Sequence, residues 1–266
     1  MTTKAMDFYF FDFDKNIIKV KVPFVLVNTE DGSEMELSAG DYMDIRDQLG
    51  KVGKWKSWSG EDALRYYSDL PDVPPQEQPF VKQIEAAIDS GNEHLWQAPS
   101  WGIFVSACNR QRPLSLITAR GHSDETIKAG FQVLKDRGWI EETPNYLTLY
   151  DVTNPATRNA LGDSDGKQDV QELKRIAILK SVDTGVEEYG RDARHHFGMS
   201  DDTMTNVEFI ADAMRECKET YPNMRFFVIA TNVSHLLKAE IFPINVPVAG
   251  HGDPDGLEPL HSHLDS

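Results

Sequence analysis

The chain of 266 residues is long enough for one large α/β domain with an insertion, or for two small domains. Its formal charge of −16, the balance of 27 basic and 43 acidic side chains, argues against a nucleic-acid backbone or an anionic membrane as a general partner, although a local basic pocket remains compatible with it. The N-terminus has no apolar signal region and no run approaches the roughly 18 apolar residues of a membrane span, so we expect a soluble, cytoplasmic protein.

A buried strand near the N-terminus ends in acidic residues. The four aromatic residues from Phe8 to Phe11 are typical of a strand buried on both faces in a parallel sheet, and Asp12 and Asp14 follow it. Because ligands of open α/β sheets bind beyond the carboxyl ends of the strands, both carboxylates should project into a cleft. The two carboxylates would suit a nucleophile and a neighbouring proton donor that a divalent cation holds together. A surface turn would also explain the D-x-D pattern.

The next part of the chain, at about residues 17–100, predicts an insertion after the first strand. Ile17 to Val27 is rich in β-forming residues, and Asp31-Gly32 separates it from a second extended piece, Glu34 to Leu37, as in a hairpin. Because this hairpin follows the first strand directly, it can lean over the carboxylates, and the helical pieces after it complete the insertion. These pieces are predicted at Ser38–Leu49, after Glu61 and from about Pro79, where Phe80, Ile84 and Ile88 form one stripe.

Four further buried strands alternate with helices. The longest of these helices is predicted from about Lys167 to Tyr189, and the next should begin with a capping box at Thr205–Glu208. This alternation implies a Rossmann-like α/β domain with a mostly parallel five-stranded sheet and helices on both faces. The four strands are predicted at Leu114–Ile117, Tyr146–Tyr150, His195–Met199 and Arg225–Ala230.

The core domain should occupy residues 1–245, and residues 246–266 should form a flexible C-terminal tail rich in Gly, Pro, Asp and His. His251, His261 and His263 in this tail are expected to be solvated, although the sequence leaves metal binding by them open.

Only two cysteines occur, Cys108 and Cys217, and each lies inside a segment that is predicted to be helical. We expect both to be reduced thiols rather than a disulfide.

Polar residues capable of chemistry follow three of the predicted strands. They are Asp12 and Asp14, Thr118, and the pair Asp201 and Asp202. Because all carboxyl ends of parallel strands lie along one edge of a sheet, these residues should belong to a single site.

Together these motifs resemble those of the haloacid dehalogenase superfamily. The family's apolar strand followed by D-x-D matches Phe8 to Asp14, its strand ending in Thr matches Leu114 to Thr118, and its strand ending in paired acids matches Phe197 to Asp202. The resemblance covers about residues 6–232 and implies the family's fold with a flap and cap, and Mg²⁺-dependent hydrolysis of phosphate esters. Asn16 departs from the pattern, because many relatives carry Thr or Val there; this bears on the subfamily more than on activity.

The resemblance also implies a role for each site residue. Asp12 would be the nucleophile, Asp14 the general acid and base, and Thr118 a donor to the phosphate. Mg²⁺ would be held by Asp12, Asp201 and the carbonyl of Asp14, with Asp202 as a further ligand or as a hydrogen-bond acceptor beside it.

The family also places a lysine on the helix before the last motif, and here Lys167, Lys174 and Lys180 compete. That helix should run antiparallel to its strand, so at about 1.5 Å per residue Lys180 would lie roughly 9 Å farther from the acidic edge than Lys174. We therefore predict Lys174, with an exposed lysine on a solvated face as the alternative. Arg120 and His122, just beyond Thr118, could contact the substrate or form a structural ion pair.

The predicted function is hydrolysis of a small phosphorylated metabolite, with Mg²⁺ as cofactor and neither membrane nor nucleic acid as partner. Asp14 argues against a dehalogenase, which needs no acid at that position, while a phosphomutase stays open. The alternatives are a catalytically silent binding or regulatory protein with this fold, and a phosphatase of nucleic-acid ends or phosphoproteins. The sequence does not indicate the substrate, the pathway or the oligomeric state.

Overall fold

The computed structural model describes residues 4–231, 237–242 and 258–259. Within these residues, none of the helices combines the length and apolar character that crossing a membrane requires. The strands are β1 (Asp7–Phe11), β2 (Phe24–Asn28), β3 (Glu34–Leu37), β4 (Trp58–Ser59), β5 (Pro113–Thr118), β6 (Asn145–Asp151), β7 (His196–Asp201), β8 (Arg225–Ala230), β9 (Leu237–Ile241) and β10 (Glu258–Pro259). The α-helices are α1 (Ala39–Ile45), α2 (Pro79–Asp89), α3 (Glu93–Trp96), α4 (Trp101–Asn109), α5 (Asp124–Asp136), α6 (Pro155–Ala160), α7 (Val170–Tyr189) and α8 (Met204–Thr220).

The chain divides into two compact units. Unit 1 contains the described residues of Met1–Lys19, Gln97–Ala119 and Leu134–Ser266, and unit 2 contains Val20–Trp96 and Arg120–Val133. The first segment of unit 2 falls within the insertion predicted at about residues 17–100, whereas its second segment was not assigned to that insertion.

The tail predicted at residues 246–266 lies outside the described residues, apart from the short strand β10. The three tail histidines, His251, His261 and His263, are likewise outside the described part of the chain.

Unit 1 is built on a sheet that has seven strands in the described residues, in the order β10-β9-β8-β7-β1-β5-β6. The five strands from β8 to β6 are parallel, and β9 and β10 extend one edge through antiparallel pairing of β9 with β8 and of β10 with β9. The predicted α/β class and the mostly parallel sheet are therefore confirmed. All five predicted strands form, whereas β9 and β10 were not predicted.

Aromatic residues of β1 pack on both faces of this sheet. Phe8 and Phe10 lie on one face, where Phe8 stacks on Phe197 of β7 with ring centroids 4.4 Å apart, in a core shared with α7 and α8. Phe11 points to the opposite face and meets Phe104 of α4 edge to face, with centroids 5.9 Å apart. Helices therefore cover both faces, as predicted, because alternate residues of a strand point to opposite sides. Full burial of one such ring contributes about 1.5–3 kcal/mol.

Unit 2 contains a three-stranded antiparallel sheet in the order β3-β2-β4. The predicted hairpin is present as β2 and β3, with Val27 opposite Glu34 and Gly32 at φ 74° in the turn. Its first strand is shorter than the predicted Ile17–Val27 and begins after Pro23, which has no N–H to donate to a neighbouring strand. Strand β4 lies between the helical pieces predicted at Ser38–Leu49 and after Glu61, where no strand was predicted.

The starts of α7 and α8 differ from the predicted positions. The predicted start of α7 at Lys167 is wrong, because Asp163 Oδ1 accepts hydrogen bonds from the backbone N–H groups of Lys167 (2.9 Å) and Gln168 (3.1 Å) and holds them in a loop. Helix α7 instead begins after Asp169, which caps it. Helix α8 begins after Thr203, two residues before the predicted capping box at Thr205–Glu208.

The two cysteines, Cys108 in α4 and Cys217 in α8, are buried free thiols, as expected. Burial raises the pKa of each thiol to about 12, so neither is ionised near neutral pH.

Helices α2 and α5 approach each other closely in unit 2 at Gly130. A Cβ atom at this position would lie 2.4 Å from Phe80 Cε1 and 2.8 Å from Ile84 Cδ1. Both side chains are fully buried and lie on the stripe predicted for α2, so they have little room to move.

We expect Gly130→Ala to lower the free energy of unfolding by about 1–3 kcal/mol, the usual cost of overpacking a core, despite the better helix propensity of Ala. Gly102→Ala in α4 is the matched control, because a Cβ atom there would meet no described atom within 4 Å beyond its chain neighbours and the backbone of its own helix. Thermal and denaturant unfolding of both variants would measure the difference. Equal stability of the two variants would contradict this packing.

Candidate active site

Three adjacent strands of unit 1 end at one edge with the predicted residues. Strand β1 pairs in parallel with β5 on one side and β7 on the other, with Phe11 opposite Leu116 and Ser200. Asp12 directly follows β1, Thr118 is the last residue of β5 and Asp201 is the last residue of β7. The backbone N–H of Asp12 donates to Ser200 O (3.1 Å), which continues the pairing beyond the strand. These three residues therefore lie at the carboxyl edge of the sheet, where α/β proteins bind ligands.

Lys174 of α7 connects two of the acidic residues. Its Nζ atom lies 2.9 Å from Asp12 Oδ1 and 3.3 Å from Asp201 Oδ2, and all three side chains are at least nine-tenths buried. The other two candidate lysines contact neither carboxylate, since Lys167 pairs with Asp165 and Lys180 donates to the carbonyl of Ala160. Of the three lysines, Lys174 is the one that faces the acidic edge.

Two residues that the sequence analysis did not single out orient Asp201. Asn206 Nδ2 lies 3.1 Å from each carboxylate oxygen of Asp201, and the backbone N–H of Thr203 donates to Oδ1 (2.9 Å). Thr203 also donates its hydroxyl to Asp202 Oδ1 at 3.4 Å. The loop and first turn after β7 therefore fix the direction of the Asp201 carboxylate.

The electrostatics of the site show an excess of negative charge. Burial raises the pKa of Asp12 to about 7; the Lys174 ammonium opposes this rise, and the charges of Asp201 and Asp14 add to it. Burial would lower the pKa of Lys174, but Asp12 and Asp201 outweigh burial and raise it, so the ammonium stays charged. Burial and the charge of Asp201 also raise the pKa of Asp202. One ammonium therefore does not neutralise this group of carboxylates.

The acidic group has the composition that Mg²⁺ prefers. Asp12, Asp201 and Asp202 each offer a carboxylate oxygen, and these oxygens all lie within 4.8 Å of one another. An all-oxygen set with uncompensated negative charge fits a hard divalent cation better than it fits zinc, which favours nitrogen and sulfur ligands.

Asp14 lies in the tight turn after β1 rather than in this group of three carboxylates. The turn is closed by the backbone N–H of Lys15, which donates to Ile18 O (2.9 Å), and Lys15 itself adopts φ 57°. Asp14 is half-buried, and its charge is close enough to raise the pKa of Asp12. A metal contact through the Asp14 carbonyl stays a prediction.

Comparisons with protein-family models, with curated proteins and with solved structures found no match to this chain. The assignment to the haloacid dehalogenase superfamily therefore stays a proposal, supported by the order of the motifs and by the geometry of the acidic edge.

Arg120 and His122, the predicted substrate contacts, are completely buried within unit 2. Arg120 Nη1 donates to Gln83 Oε1 (2.8 Å), and the guanidinium lies over the rings of Tyr67 and Phe80. His122 Nδ1 lies 2.9 Å from Asp69 Oδ1, while its Nε2 faces Arg120 Nη1 at 3.3 Å. These contacts favour the structural alternative for both side chains.

The Asp69 carboxylate should make unit 2 sensitive to acid. Burial alone would raise its pKa, but hydrogen bonds from His122, Ser123 and Thr126 outweigh burial and lower the pKa from 3.8 to about 2. A carboxyl whose pKa is lowered by folding stabilises the fold above its unfolded pKa, and this contribution disappears as pH falls toward the folded value.

We therefore expect Asp69→Asn to lower the melting temperature most at pH 6–7, and we expect its difference from the wild type to shrink between about pH 4 and pH 2. Asp44→Asn, at an exposed position, is the control. Melting curves at several pH values would measure both differences, and a difference for Asp69→Asn that stays constant with pH would contradict the role of these hydrogen bonds.

Proposed function

We propose that this chain is a Mg²⁺-dependent phosphate-ester hydrolase of the haloacid dehalogenase type, which forms an aspartyl phosphate on Asp12 and acts on a small phosphorylated metabolite. The observation that carries the proposal is the position of Lys174 Nζ between Asp12 and Asp201, with Asp202 in the same group of carboxylates. A nucleophilic carboxylate, a buried cation and a set of oxygen ligands on one sheet edge are the parts that phosphoryl transfer needs.

The charges of the site explain how a phosphate could approach Asp12. A divalent cation bound by Asp12, Asp201 and Asp202 would supply positive charge that offsets the repulsion between the phosphate dianion and these carboxylates. Lys174 adds a buried ammonium at 2.9 Å from Asp12 Oδ1, and Thr118 provides a hydroxyl at the end of the neighbouring strand. Groups fixed in advance around the phosphate stabilise the charge that develops during its transfer.

The reaction would proceed in two steps. In the first, an oxygen of Asp12 attacks phosphorus in line, the bond from phosphorus to the ester oxygen breaks, and Asp14 gives its proton to the leaving alcohol. In the second, the Asp14 carboxylate takes a proton from water, the water oxygen attacks phosphorus, and inorganic phosphate leaves Asp12. Lys174 stays charged throughout, because the carboxylates beside it raise its pKa.

The role of Asp14 predicts a dependence on the leaving group. We expect Asp14→Asn to lower the rate of the first step about 10²- to 10⁴-fold for alkyl phosphates, the usual contribution of a general acid, and to lower it less for aryl phosphates, whose leaving groups need no proton. Single-turnover rates with both kinds of ester would measure the difference. Equal losses for both would argue against proton donation by Asp14.

The proposal is tested by a panel of phosphorylated sugars, nucleotides, peptides and nucleic-acid ends, assayed with Mg²⁺ and again after chelation. The charge of −16 disfavours acidic macromolecules, so we expect the highest kcat/KM among the small esters. Higher values on phosphoproteins or nucleic-acid ends would support the alternative substrates. No turnover of any ester would support a binding or regulatory role.

A further inference from the structure

Asn16, two residues after Asp14, lies at the centre of a buried polar cluster in unit 1. Its side chain is completely buried and its amide contacts groups from four separate parts of the chain. The contacts are Ser200 Oγ at 2.8 Å, Thr231 Oγ1 at 3.1 Å, Ser100 Oγ at 3.2 Å, the backbone N–H of Asp201 at 3.2 Å and the backbone carbonyl of Asp12 at 3.3 Å.

The two backbone contacts determine which way the Asn16 amide points. A hydroxyl can donate or accept, but a backbone carbonyl only accepts and a backbone N–H only donates. Asn16 Nδ2 must therefore face the Asp12 carbonyl, and Oδ1 must face the Asp201 N–H. In this orientation the two hydrogens of Nδ2 are shared among three acceptors, the Asp12 carbonyl, Ser100 Oγ and Ser200 Oγ, and Oδ1 also accepts from Thr231, so the amide is fully satisfied.

Asn16 thereby joins the two residues whose carboxylates share Lys174. Asp12 follows β1 and Asp201 ends β7, so the amide spans the ends of two neighbouring strands, while Thr231 lies directly after β8. The backbone of Asn16 is also held, because its carbonyl accepts from Ser100 N (2.9 Å) and its N–H donates to Phe13 O (3.3 Å). A shift of either strand end would break at least one of these bonds.

We propose that Asn16 is a positioning residue that sets the separation of Asp12 and Asp201 and so determines the affinity of the site for its divalent cation. This inference rests on the proposed function, because it assumes that these carboxylates bind a cation. Partners that orient metal ligands from outside the coordination sphere typically change metal affinity about 10- to 100-fold when they are removed. Asn16 does so for two ligands at once, through their backbones.

The test is the affinity for Mg²⁺ alone, measured by isothermal titration calorimetry without substrate, with the melting temperature recorded for each variant. Asn16→Val keeps the approximate volume of the side chain and removes all five contacts. Thr231→Val removes one of these contacts, the hydrogen bond from Thr231 Oγ1, and replaces Asn16→Val as the test if that variant does not fold. Ser181→Ala is the matched control, because Ser181 is equally buried but bonds to Thr148 Oγ1 (2.7 Å) in the interior of unit 1.

We expect Asn16→Val to weaken Mg²⁺ binding about 10- to 100-fold, Thr231→Val to weaken it less, and Ser181→Ala to lower the melting temperature with Mg²⁺ affinity unchanged. Wild-type affinity in Asn16→Val, or an equal loss in Ser181→Ala, would overturn the proposal. Because binding is measured without turnover, a fall in affinity supports the role of Asn16 even if no ester is hydrolysed, in which case the proposed function alone fails. A wild-type protein that binds no Mg²⁺ would overturn both.

Discussion

Asp12→Asn should abolish turnover, with kcat at least about 10⁴-fold lower, while the fold stays intact. The amide keeps the shape of the side chain and can still accept the hydrogen bond from Lys174, but it has no anionic oxygen with which to attack phosphorus. Loss of a covalent nucleophile is among the largest single effects on kcat, because no other group can form the intermediate.

The stability of Asp12→Asn separates loss of the nucleophile from loss of structure. Burial raises the pKa of Asp12, so a neutral residue at this position removes part of the excess negative charge. The melting temperature in chelator should therefore equal or exceed that of the wild type. A variant that keeps a tenth of the wild-type activity would exclude the aspartyl phosphate, and a lower melting temperature would show that Asp12 is structural.

The main sheet could be predicted because its central strands are local patterns in the sequence. Phe8 to Phe11 and Leu114 to Ile117 are short apolar runs bounded by polar or turn residues, and such runs belong to strands buried on both faces. Strand β9, Leu237–Ile241, alternates apolar and polar residues over only five positions. Its place depends on antiparallel pairing with the preceding strand β8, and the five residues of β9 alone do not indicate that pairing.

The site could be predicted only as far as the strand ends define it. Asp12, Thr118 and Asp201 could be grouped because parallel strands end at one edge of a sheet. The contact of Asn206 with Asp201 was missed because the predicted helix start placed Asn206 inside a capping box. With α8 beginning at Met204, Asn206 lies in the first turn and its side chain reaches back to Asp201. The signal in the sequence was a polar residue, Asn206, shortly after the acidic residue that ends the strand, Asp201.

Asn16 shows a different limit of sequence reasoning. In the sequence it is a departure from the family pattern, with no indication of what it contacts. Its partners at positions 100, 200, 201 and 231 lie far away in the chain, and they meet only because three strand ends and the start of α4 come together. In a buried polar cluster of this kind, hydrogen-bond donors and acceptors from separate parts of the folded chain satisfy one another. The spacing of the residues in the sequence does not indicate such a cluster.

Lys174→Met should combine a large loss of activity with a large loss of stability. Removing the ammonium leaves Asp12 and Asp201 facing each other without the cation that lies 2.9 Å and 3.3 Å from them. Loss of one preorganised charge at a phosphoryl-transfer site costs about 10²- to 10³-fold in kcat. Breaking a buried pair by removing one partner costs about 3–5 kcal/mol in the free energy of unfolding, measured in chelator.

Lys180→Met is the matched control for this variant, because it makes the same change on the same helix at an exposed residue whose Nζ donates to the carbonyl of Ala160. Its kcat and free energy of unfolding should stay close to those of the wild type.

The stability loss of Lys174→Met should also be smaller at pH 5 than at pH 8. A carboxyl whose pKa is raised by folding binds a proton more tightly in the folded state and is destabilising once ionised. A greater loss of activity in Lys180→Met than in Lys174→Met would mean that the lysine of the site had been assigned wrongly. A pH-independent stability loss in Lys174→Met would mean that its ammonium does not stabilise the ionised carboxylates beside it.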